Sequence, residues 1–533
     1  MKKRCLAFLL TLCLLCSCFL TLFCCGNISE TPPAEEPDPA ETEDPSKNPD
    51  NGTEEDPEEP ETIFSVSAAA FSASAGVGWN LGNTLDCYLS KEPDARGENL
   101  DLETAWHNPK TTRGILKYVA DSGFDVIRIP VSWYYHTYED EAGHLRIYEK
   151  WIERVRRVVQ DALDLGFFVI LNSHHDMPMF FAGVSDEEFA CVLRDVTDIW
   201  GQIAEAFSDF DGHLIFEAFN EIDNLEHSWR FGERAASQMN EMNQTFVDTV
   251  RATGGNNGDR LLMVPTLIDG TSEETLAAFV LPTDTAHDRL LIQVHSYSQL
   301  YAQDIEPLFT SLEQFSERQG APVVIGEFGT KAKDFAPAAY RTVHAANYIA
   351  RAAAHGILCI WWDNGYSDEY GIIARKSLTD SDTSLIQALT EPQAFASDLL
   401  TVYTSIDSFV YQKLNNETGA LESPTWGVIV LSDGENMVSV PNGATTLTLS
   451  VTVAGDAQQC KIHQIYFFDE NGTVIADAKT NDNYGFFTKG ITVPSGARYV
   501  RVSIYNSYES VSLAAFTAFL ADGDLKLTLC WAT

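Results

Sequence analysis

The chain has 533 residues and a formal net charge of −42, and 45% of its residues are hydrophobic. That length exceeds one ordinary domain and provides for a large core plus a further module. The acidic excess excludes nucleic acid as the expected partner, because binding to phosphates needs a basic surface.

The N-terminus has the pattern of a secretory signal. The basic start, residues 1–4, is followed by an apolar run from about Leu6 to Phe23. We predict a signal peptide over residues 1–25, and cysteines near its end, such as Cys18 and Cys25, favour a lipoprotein type. The protein is therefore expected outside a bacterial cell or anchored on its surface, touching the membrane only through a lipid anchor.

Residues 26–62 are expected to form a disordered linker. The segment consists mostly of Pro, Glu, Asp, Thr and Asn, and Lys47 is its single basic residue. Such a composition cannot bury enough apolar surface to offset the entropy of ordering, while proline and like charges keep the chain extended. We predict that this linker holds a folded domain away from the cell surface.

Residues 63–400 are predicted to form an α/β domain with eight strands. Continuous apolar runs alternate with helix-period segments, which is typical of parallel strands covered on both faces. A (β/α)8 TIM barrel is the favoured fold, with a doubly wound open sheet as the alternative, although no glycine-rich phosphate loop follows any strand. The predicted strands are 77–81, 126–131, 168–172, 214–219, 261–265, 290–294, 322–326 and 357–361. The predicted helices include 112–120, 148–165, 187–207, 231–251 and 338–354.

Residues 405–533 are predicted to form a small β-sandwich. Apolar and polar residues alternate over 447–453 and 499–504, and a turn sequence occupies 469–472. Beyond the signal, the five remaining cysteines are widely spaced, without metal-ligand spacing, so we expect neither a disulfide framework nor a cysteine metal site.

Polar side chains follow six of the predicted barrel strands. Strand ends in such a barrel converge on one mouth, and burying these groups unpaired would be costly, so together they indicate a functional site. The segments are Ile127-Arg128-Ile129-Pro130, Asn172-Ser173-His174-His175-Asp176, Asn220-Glu221, His295-Ser296-Tyr297, Gly326-Glu327-Phe328 and Trp362-Asp363-Asn364.

These segments resemble the motifs of glycoside hydrolase family 5, the cellulase-type barrels. The resemblance covers about residues 76–375, includes Gly78-Trp79-Asn80-Leu81-Gly82-Asn83-Thr84-Leu85-Asp86, and agrees in motif order and strand placement. The segment 103–111 is similar to subfamily 4, which contains broad endoglucanases and xyloglucanases. One small departure is His107, where family enzymes often have glycine.

The resemblance implies two catalytic carboxyls, Glu221 as acid/base and Glu327 as nucleophile. Retaining hydrolysis needs one protonated and one ionised carboxyl. Arg128 and Tyr297 would stabilise charge on Glu327, which leaves Glu221 as the group expected to hold a proton. Trp361 and Trp362 point to opposite faces of a strand, and the motif assigns Trp362 to the sugar. The substrate-binding set implied by the resemblance is Asn83, Asp86, Arg128, His174, His175, Asn220, His295, Tyr297 and Trp362.

The resulting hypothesis is a secreted or surface-anchored, endo-acting, retaining β-1,4-glucanase. It is expected to be a monomer that needs no metal and no cofactor and acts on cellulose, mixed-linkage glucan or xyloglucan. One alternative is a metal-dependent barrel hydrolase, which we disfavour because adjacent His174 and His175 are not expected to converge on one ion. Another is a non-catalytic glycan-binding lipoprotein. The C-terminal module is a candidate carbohydrate-binding module, with a structural or wall-contact role as its alternative.

Overall fold

The structure is a computed structural model that describes residues 66–532 with several gaps. Within the first part of this range the gaps are 90–94, 178, 298–304, 335–337 and 396–400. Towards the C-terminus they are 407–408, 411–412, 416–417, 423–427, 432–436, 454–459, 476–490 and 507–524. The predicted signal peptide and linker lie outside the described residues.

Eight parallel strands close into a barrel, each paired with its neighbours in sequence. The alternative of an open doubly wound sheet is wrong, because the first strand pairs with both the second and the eighth. The barrel strands are β1 (Gly78–Leu81), β2 (Val126–Ile129), β3 (Phe168–Asn172), β4 (Leu214–Glu217), β5 (Leu262–Pro265), β6 (Leu290–His295), β7 (Val323–Phe328) and β8 (Leu358–Asp363).

Among the described residues, one helix precedes the barrel and at least one follows each strand. All five predicted helices are present. The helices are α1 (Ala68–Ser74), α2 (Arg113–Asp121), α3 (Glu149–Leu163), α4 (Asp186–Ala206), α5 (Glu233–Ala252), α6 (Glu273–Ala278), α7 (Glu306–Gln319), α8 (Ala338–Ala354) and α9 (Thr383–Thr390). None of the helices in the described ranges combines the length and apolar character needed to cross a bilayer.

Strand alternation explains how polar groups come to lie inside the barrel. On β2, Ile127 and Ile129 belong to the large core between strands and helices, whereas Val126 packs in a separate cluster with residues from other strands. Phe71 of α1 joins that second cluster. Successive side chains of a strand point to opposite faces, so Arg128 shares the inner face with Val126. The inner face therefore changes from apolar to polar toward the mouth.

Residues 401–532 contain antiparallel strands, which supports part of the predicted sandwich. A four-stranded sheet includes Thr401–Ile406, Thr446–Val453 and Leu525–Ala532, and a five-stranded sheet includes Cys460–Phe468 and Tyr499–Asn506. Residues from both sheets contribute to one hydrophobic cluster. The shorter strands of this region are Phe409–Val410, Lys413–Leu414, Leu421–Glu422, Val428–Leu431, Val438–Ser439 and Ile491–Thr492. Two small hairpins lie outside it, one formed by Thr137–Glu139 and Leu145–Ile147 and the other by Ile373–Ala374 and Thr379–Asp380.

Candidate active site

Arg128 lies at the centre of the polar site with no exposed surface. Its Nε and Nη2 donate to the two oxygens of Glu217 at 2.6 and 2.7 Å. Its Nη1 donates to Glu327 Oε1 at 2.6 Å and to Asn80 Oδ1 at 2.9 Å, while Nη2 also donates to Asn220 Oδ1 at 2.9 Å. A guanidinium has five N–H donors, and all five are therefore used.

Two buried amides hold the partners of this arginine in place. Asn172 donates from Nδ2 to Glu217 Oε1 at 2.8 Å, and its Oδ1 accepts from the backbone N–H of Val131 at 3.1 Å. Asn80 donates from Nδ2 to the carbonyl of Gly326 at 2.9 Å. Each amide is thus tied to the backbone at one end and to a charged group at the other, which sets its orientation.

Glu327 receives one donor on each carboxylate oxygen. Arg128 donates to Oε1, and the Tyr297 hydroxyl donates to Oε2 at 2.7 Å. Burial, followed by the neighbouring negative charge, raises the pKa of Tyr297 well above its ordinary value, so the phenol keeps its proton for this bond. The side chain of Glu327 is 6% exposed. Both donors stabilise its negative charge, as expected from the sequence.

Glu221 follows β4 with an unusual backbone. Its φ is +34°, in the left-handed region that non-glycine residues rarely adopt. Its backbone N–H donates to Asp269 Oδ2 at 2.6 Å, and His295 Nδ1 lies 2.8 Å from its Oε1. The same Nδ1 lies 3.8 Å from Glu327 Oε2. The carboxylates of Glu221 and Glu327 therefore face one another beside a single imidazole.

The electrostatics of this pair differ from the sequence-based expectation. Burial alone would lower the pKa of His295, but the negative charges of Asp269, Glu327 and Glu221 raise it to about 9. Burial raises the pKa of Glu221, and the hydrogen bond and charge of His295 more than offset this and lower it below its ordinary value. In the resting site the proton thus lies on His295, whereas the sequence analysis placed it on Glu221.

Trp362 and His174 form a flat aromatic surface. The Trp362 ring is partly exposed and stacks on His174 with an interplanar angle of 9° and ring centroids 5.6 Å apart, while Trp361 is fully buried. Burial lowers the pKa of His174 well below its ordinary value and that of His175 to about 4, so both rings are neutral. A Cβ on Gly82 would lie 2.8 Å from the Trp362 ring, so this position needs glycine.

Asn83 and Asp86 belong to one turn after β1. The Asp86 carboxylate accepts the backbone N–H groups of Thr84 at 2.6 Å and Asn83 at 3.1 Å. Asn83 adopts φ +56°, which asparagine tolerates better than most residues. Because Asp86 is fully buried, it organises the loop that carries Asn83 and exposes no surface of its own to a sugar. Burial raises the pKa of Asp86 to about 6.

In the part of the chain that the structure describes, two triads of side chains have donor atoms close enough to hold a metal ion. One is Asp86, His174 and His175, and the other is Glu221, His295 and Glu327, with the atoms of each triad within 4.8 Å of one another. The expectation that adjacent His174 and His175 do not converge on one ion is wrong for this chain, because a donor atom of each lies within 4.8 Å of the other and of an Asp86 oxygen. Both carboxylates of the second triad already have protein partners, Arg128 and Tyr297 on Glu327 and His295 on Glu221, which argues against it as a ligand set.

Sequence reasoning missed four buried residues of the site: Asn80, Glu217, Asp269 and Gln293. Glu217 had a visible signal, because it is the one charged residue in the apolar run 214–219. Gln293 lies on the same strand two residues before His295, and its side-chain amide lies 3.0 Å from the Nε2 of that imidazole. Asp269 lies in the loop after β5, and nothing in its local sequence indicates that it reaches the backbone of Glu221.

Most glycoside hydrolases rely on a pair of carboxyls, and enzymes with a closed (β/α)8 barrel hold their active sites at its carboxyl-terminal mouth. In fold and site the protein is therefore a (β/α)8 glycoside hydrolase. A family model described as cellulase (glycosyl hydrolase family 5) matches residues 93–368, and the chain belongs to that family.

Characterised relatives and solved structures agree with this assignment. Endoglucanase 1 of Ruminococcus albus is 34% identical over 342 residues, which cover 60% of this chain and 79% of the relative. Cellulase/esterase CelE of Acetivibrio thermocellus is 33% identical over 348 residues, which cover 61% of this chain but only 40% of that protein's length. A GH5-4 broad specificity endoglucanase from Ruminococcus champanellensis with bound cellotriose superposes with a TM-score of 0.57 at 33% identity, covering 61% of this chain and 98% of the other.

Proposed function

We propose that this chain is an endo-acting, retaining β-1,4-glucanase in which Glu221 is the acid/base and Glu327 the nucleophile. The observation that carries the proposal is the spacing of the pair, since one oxygen from each carboxylate lies within 4.8 Å of the other. Retaining glycosidases need their carboxyls about 5–5.5 Å apart, whereas inverting enzymes leave about 6.5–9.5 Å for a water molecule. The short separation favours retention.

The geometry supports a double displacement. Glu327 attacks the anomeric carbon, the glycosidic C–O bond breaks, and the leaving oxygen takes a proton from Glu221. Water then attacks the glycosyl ester on Glu327 and gives a proton to Glu221, which releases the sugar and restores both carboxyls. Arg128 and Tyr297 hold the attacking carboxylate in position. Because Arg128 also binds Glu217, its charge is shared between two carboxylates and does not bind the nucleophile alone.

The proton for the leaving group is available beside Glu221. The imidazolium of His295 donates through Nδ1 to Glu221 Oε1, and transfer along this 2.8 Å bond yields a neutral carboxylic acid and a neutral imidazole. A sugar that covers the site removes water from the carboxylate, and desolvation favours its protonated form. Substrate binding therefore promotes the protonation state that acid catalysis requires.

Two features of the site support the proposed substrate class. Trp362, stacked on His174, offers an apolar plane that matches one face of a pyranose ring. Arg128 donates to the side-chain oxygen Oδ1 of Asn220, which leaves the amide Nδ2 of Asn220 to donate to a sugar hydroxyl next to the scissile bond. The solved relative with bound cellotriose supports a β-1,4-linked glucan.

The test combines a substrate panel with two variants. Soluble cellulose derivatives, mixed-linkage glucan and xyloglucan are assayed for reducing ends, and proton NMR follows the anomer released first, which should be β. Glu327→Ala should lose several orders of magnitude on every substrate. Glu221→Ala should lose about 10²- to 10⁴-fold on glucans but far less on aryl cellobiosides with good leaving groups, which need no proton donor.

Several results would contradict the proposal. Equal losses for Glu221→Ala on both substrate types would remove the acid/base role, and release of the α-anomer would remove retention. Glucan binding without any cleavage would favour the non-catalytic alternative. Full loss of activity after dialysis against a chelator, restored by a divalent cation, would favour the metal-dependent alternative and direct attention to Asp86, His174 and His175.

We further propose that the protein acts as a monomer outside the cell, with its N-terminus lipidated. The motivating feature is the basic and apolar start of the chain with its cysteines, followed by an acidic linker. Labelling of an expressing bacterium with an alkyne-tagged fatty acid should mark the wild-type protein. Replacing the four cysteines Cys16, Cys18, Cys24 and Cys25 together should abolish the label, and a label that persists would refute lipidation there. Light scattering should give a monomer mass for the purified chain.

A further inference from the structure

Asp269 lies in a strained loop next to Glu221 and His295. The turn Leu267–Asp269 follows β5, and both Ile268 and Asp269 adopt left-handed backbone conformations with φ of +53° and +51°. Such conformations cost free energy in non-glycine residues and persist where the surroundings impose them. The strain places the Asp269 carboxylate, which has no exposed surface, against the start of the neighbouring loop after β4.

The carboxylate of Asp269 contacts both Glu221 and His295. Its Oδ2 accepts the backbone N–H of Glu221 at 2.6 Å and lies 3.8 Å from His295 Nε2. His295 in turn contacts Glu221 through its other nitrogen at 2.8 Å. The imidazole is thus flanked by a carboxylate on each side. The second oxygen of Asp269, Oδ1, is buried without a hydrogen-bond partner among the described residues.

The charge balance of the site makes this contact consequential. Four carboxyls surround two cationic side chains, so full ionisation would leave two uncompensated negative charges in a mostly buried site, which is costly. Glu217 and Glu327 are each bound by Arg128. The remaining negative charge is therefore distributed over Asp269 and Glu221, and His295 lies between them.

We propose that Asp269 is a positioning residue that fixes the backbone of Glu221 and, through its charge, controls where the proton shared by Glu221 and His295 resides. The inference rests on the proposed role of Glu221 as acid/base and extends it. When Asp269 is ionised, it stabilises the imidazolium and holds the proton on His295. When Asp269 is neutral, the imidazole loses that stabilisation and the proton moves more readily to Glu221. Burial raises the pKa of Asp269 to about 8, so its charge changes near neutral pH.

Other titratable or charged groups interact electrostatically with His295, Glu221 or Asp269. They come from β2, from the loops after β3 and β6, and from β4 and β7, and they are Arg128, His174, His175, Glu217, Glu327 and Tyr297. The two histidines are neutral and Tyr297 keeps its proton, so none of these three changes charge near neutral pH. Asp269 is therefore the neighbour whose titration can shift the proton.

The first test measures the pKa of the His295 imidazole directly. The full chain is labelled at histidine Cε1 with ¹³C, and the His295 signal is assigned by its loss in His295→Gln. We expect a wild-type pKa well above the ordinary 6.5 and a fall of about one pH unit or more in Asp269→Asn, which keeps the acceptor for Glu221 but removes the charge. The matched control is Asp223→Asn, because Asp223 is also buried and also accepts a backbone N–H, from Trp229 at 2.6 Å, in the loop after β4. In Asp223→Asn the pKa of His295 should remain within about 0.2 units of the wild-type value.

The second test separates the charge of Asp269 from its hydrogen bond. Asp269→Asn removes a negative charge beside the proton that Glu221 and His295 share. The basic limb of the pH profile of kcat/KM for β-glucan should therefore move to lower pH, by an amount similar to the change in the His295 pKa measured by NMR. Asp269→Ala also removes the acceptor for the Glu221 N–H and should lose roughly a further tenfold in kcat, chiefly on substrates with poor leaving groups.

Three outcomes would overturn the inference. They are a wild-type His295 pKa at or below 6.5, a shift below about 0.3 units in Asp269→Asn, or an equal shift in Asp223→Asn. If a variant does not fold, the His295 pKa of the wild-type protein still tests the inference. None of the NMR measurements requires an active enzyme. An inactive wild-type enzyme would therefore refute the proposed function without removing the test of Asp269.

Discussion

Replacing Arg128 with lysine tests whether the buried charge network holds the site together. The guanidinium makes five hydrogen bonds, three of them to carboxylate oxygens, whereas an ammonium has three donors in a geometry that cannot match two carboxylates and two amides at once. At least two of the five acceptors lose their donor without exposure to water. Each lost bond to a charged group costs about 1.5–3 kcal/mol, so the free energy of unfolding should fall by about 3–6 kcal/mol.

Denaturant unfolding followed by tryptophan fluorescence measures this loss, with Arg146→Lys as the control. Arg146 pairs with Asp140 on the surface and is 45% exposed, so its replacement should change the unfolding free energy by less than about 0.5 kcal/mol. Adding Glu217→Gln to Arg128→Lys should cost less than the sum of the single changes, because the two residues share one interaction. A loss below about 1 kcal/mol for Arg128→Lys, or strict additivity in the double variant, would refute the reasoning.

Two further changes probe the aromatic plane and a buried histidine. Gly82→Ala places a methyl group against the Trp362 ring. It should raise KM for cello-oligosaccharides roughly tenfold, with a smaller change in kcat on aryl glycosides. An unchanged KM would exclude a role of the Trp362 ring in binding. His136 stacks on Trp151 at 3.7 Å, and burial lowers the pKa of His136 to about 4. Its unfolded form takes up a proton that the folded form resists, so stability is complete above pH 6.5 and falls by up to about 3 kcal/mol as the pH approaches 4. His136→Phe should remove that part of the acid-induced loss in unfolding titrations, and an identical pH dependence in the variant would contradict the assignment.

The barrel was readable from the sequence because burial on both faces leaves a local pattern. A parallel strand between a packed interior and a layer of helices needs apolar residues at successive positions, as residues 168–171 of β3 and 290–292 of β6 show. The glutamates after β4 and in β7 were also readable, because their neighbours form motifs shared by the family. The C-terminal strands left a different pattern, alternation, which predicted antiparallel pairing.

The protonation of the site was not readable in the same way. The motifs predict a proton on Glu221 because they reveal the donors near Glu327 but not the contact between Glu221 and His295. Glu217 was also left out of the predicted site, although its bonds to Arg128 use two of the five N–H donors of the cation that was assigned to Glu327. Both errors have one origin, since a carboxyl's proton affinity depends on every charge within a few ångströms.

What the sequence determined by itself is therefore the barrel, the family and the two carboxyls, because each is recorded in residue types at short spacing along the chain. Tertiary structure alone decided which groups share a proton. Glu221 is 48 residues from Asp269 and 74 from His295 along the chain, yet the contacts measure 2.6 and 2.8 Å. Electrostatic energy falls with distance in space and is strengthened by burial, and neither quantity exists until the strands have closed and excluded water from the mouth.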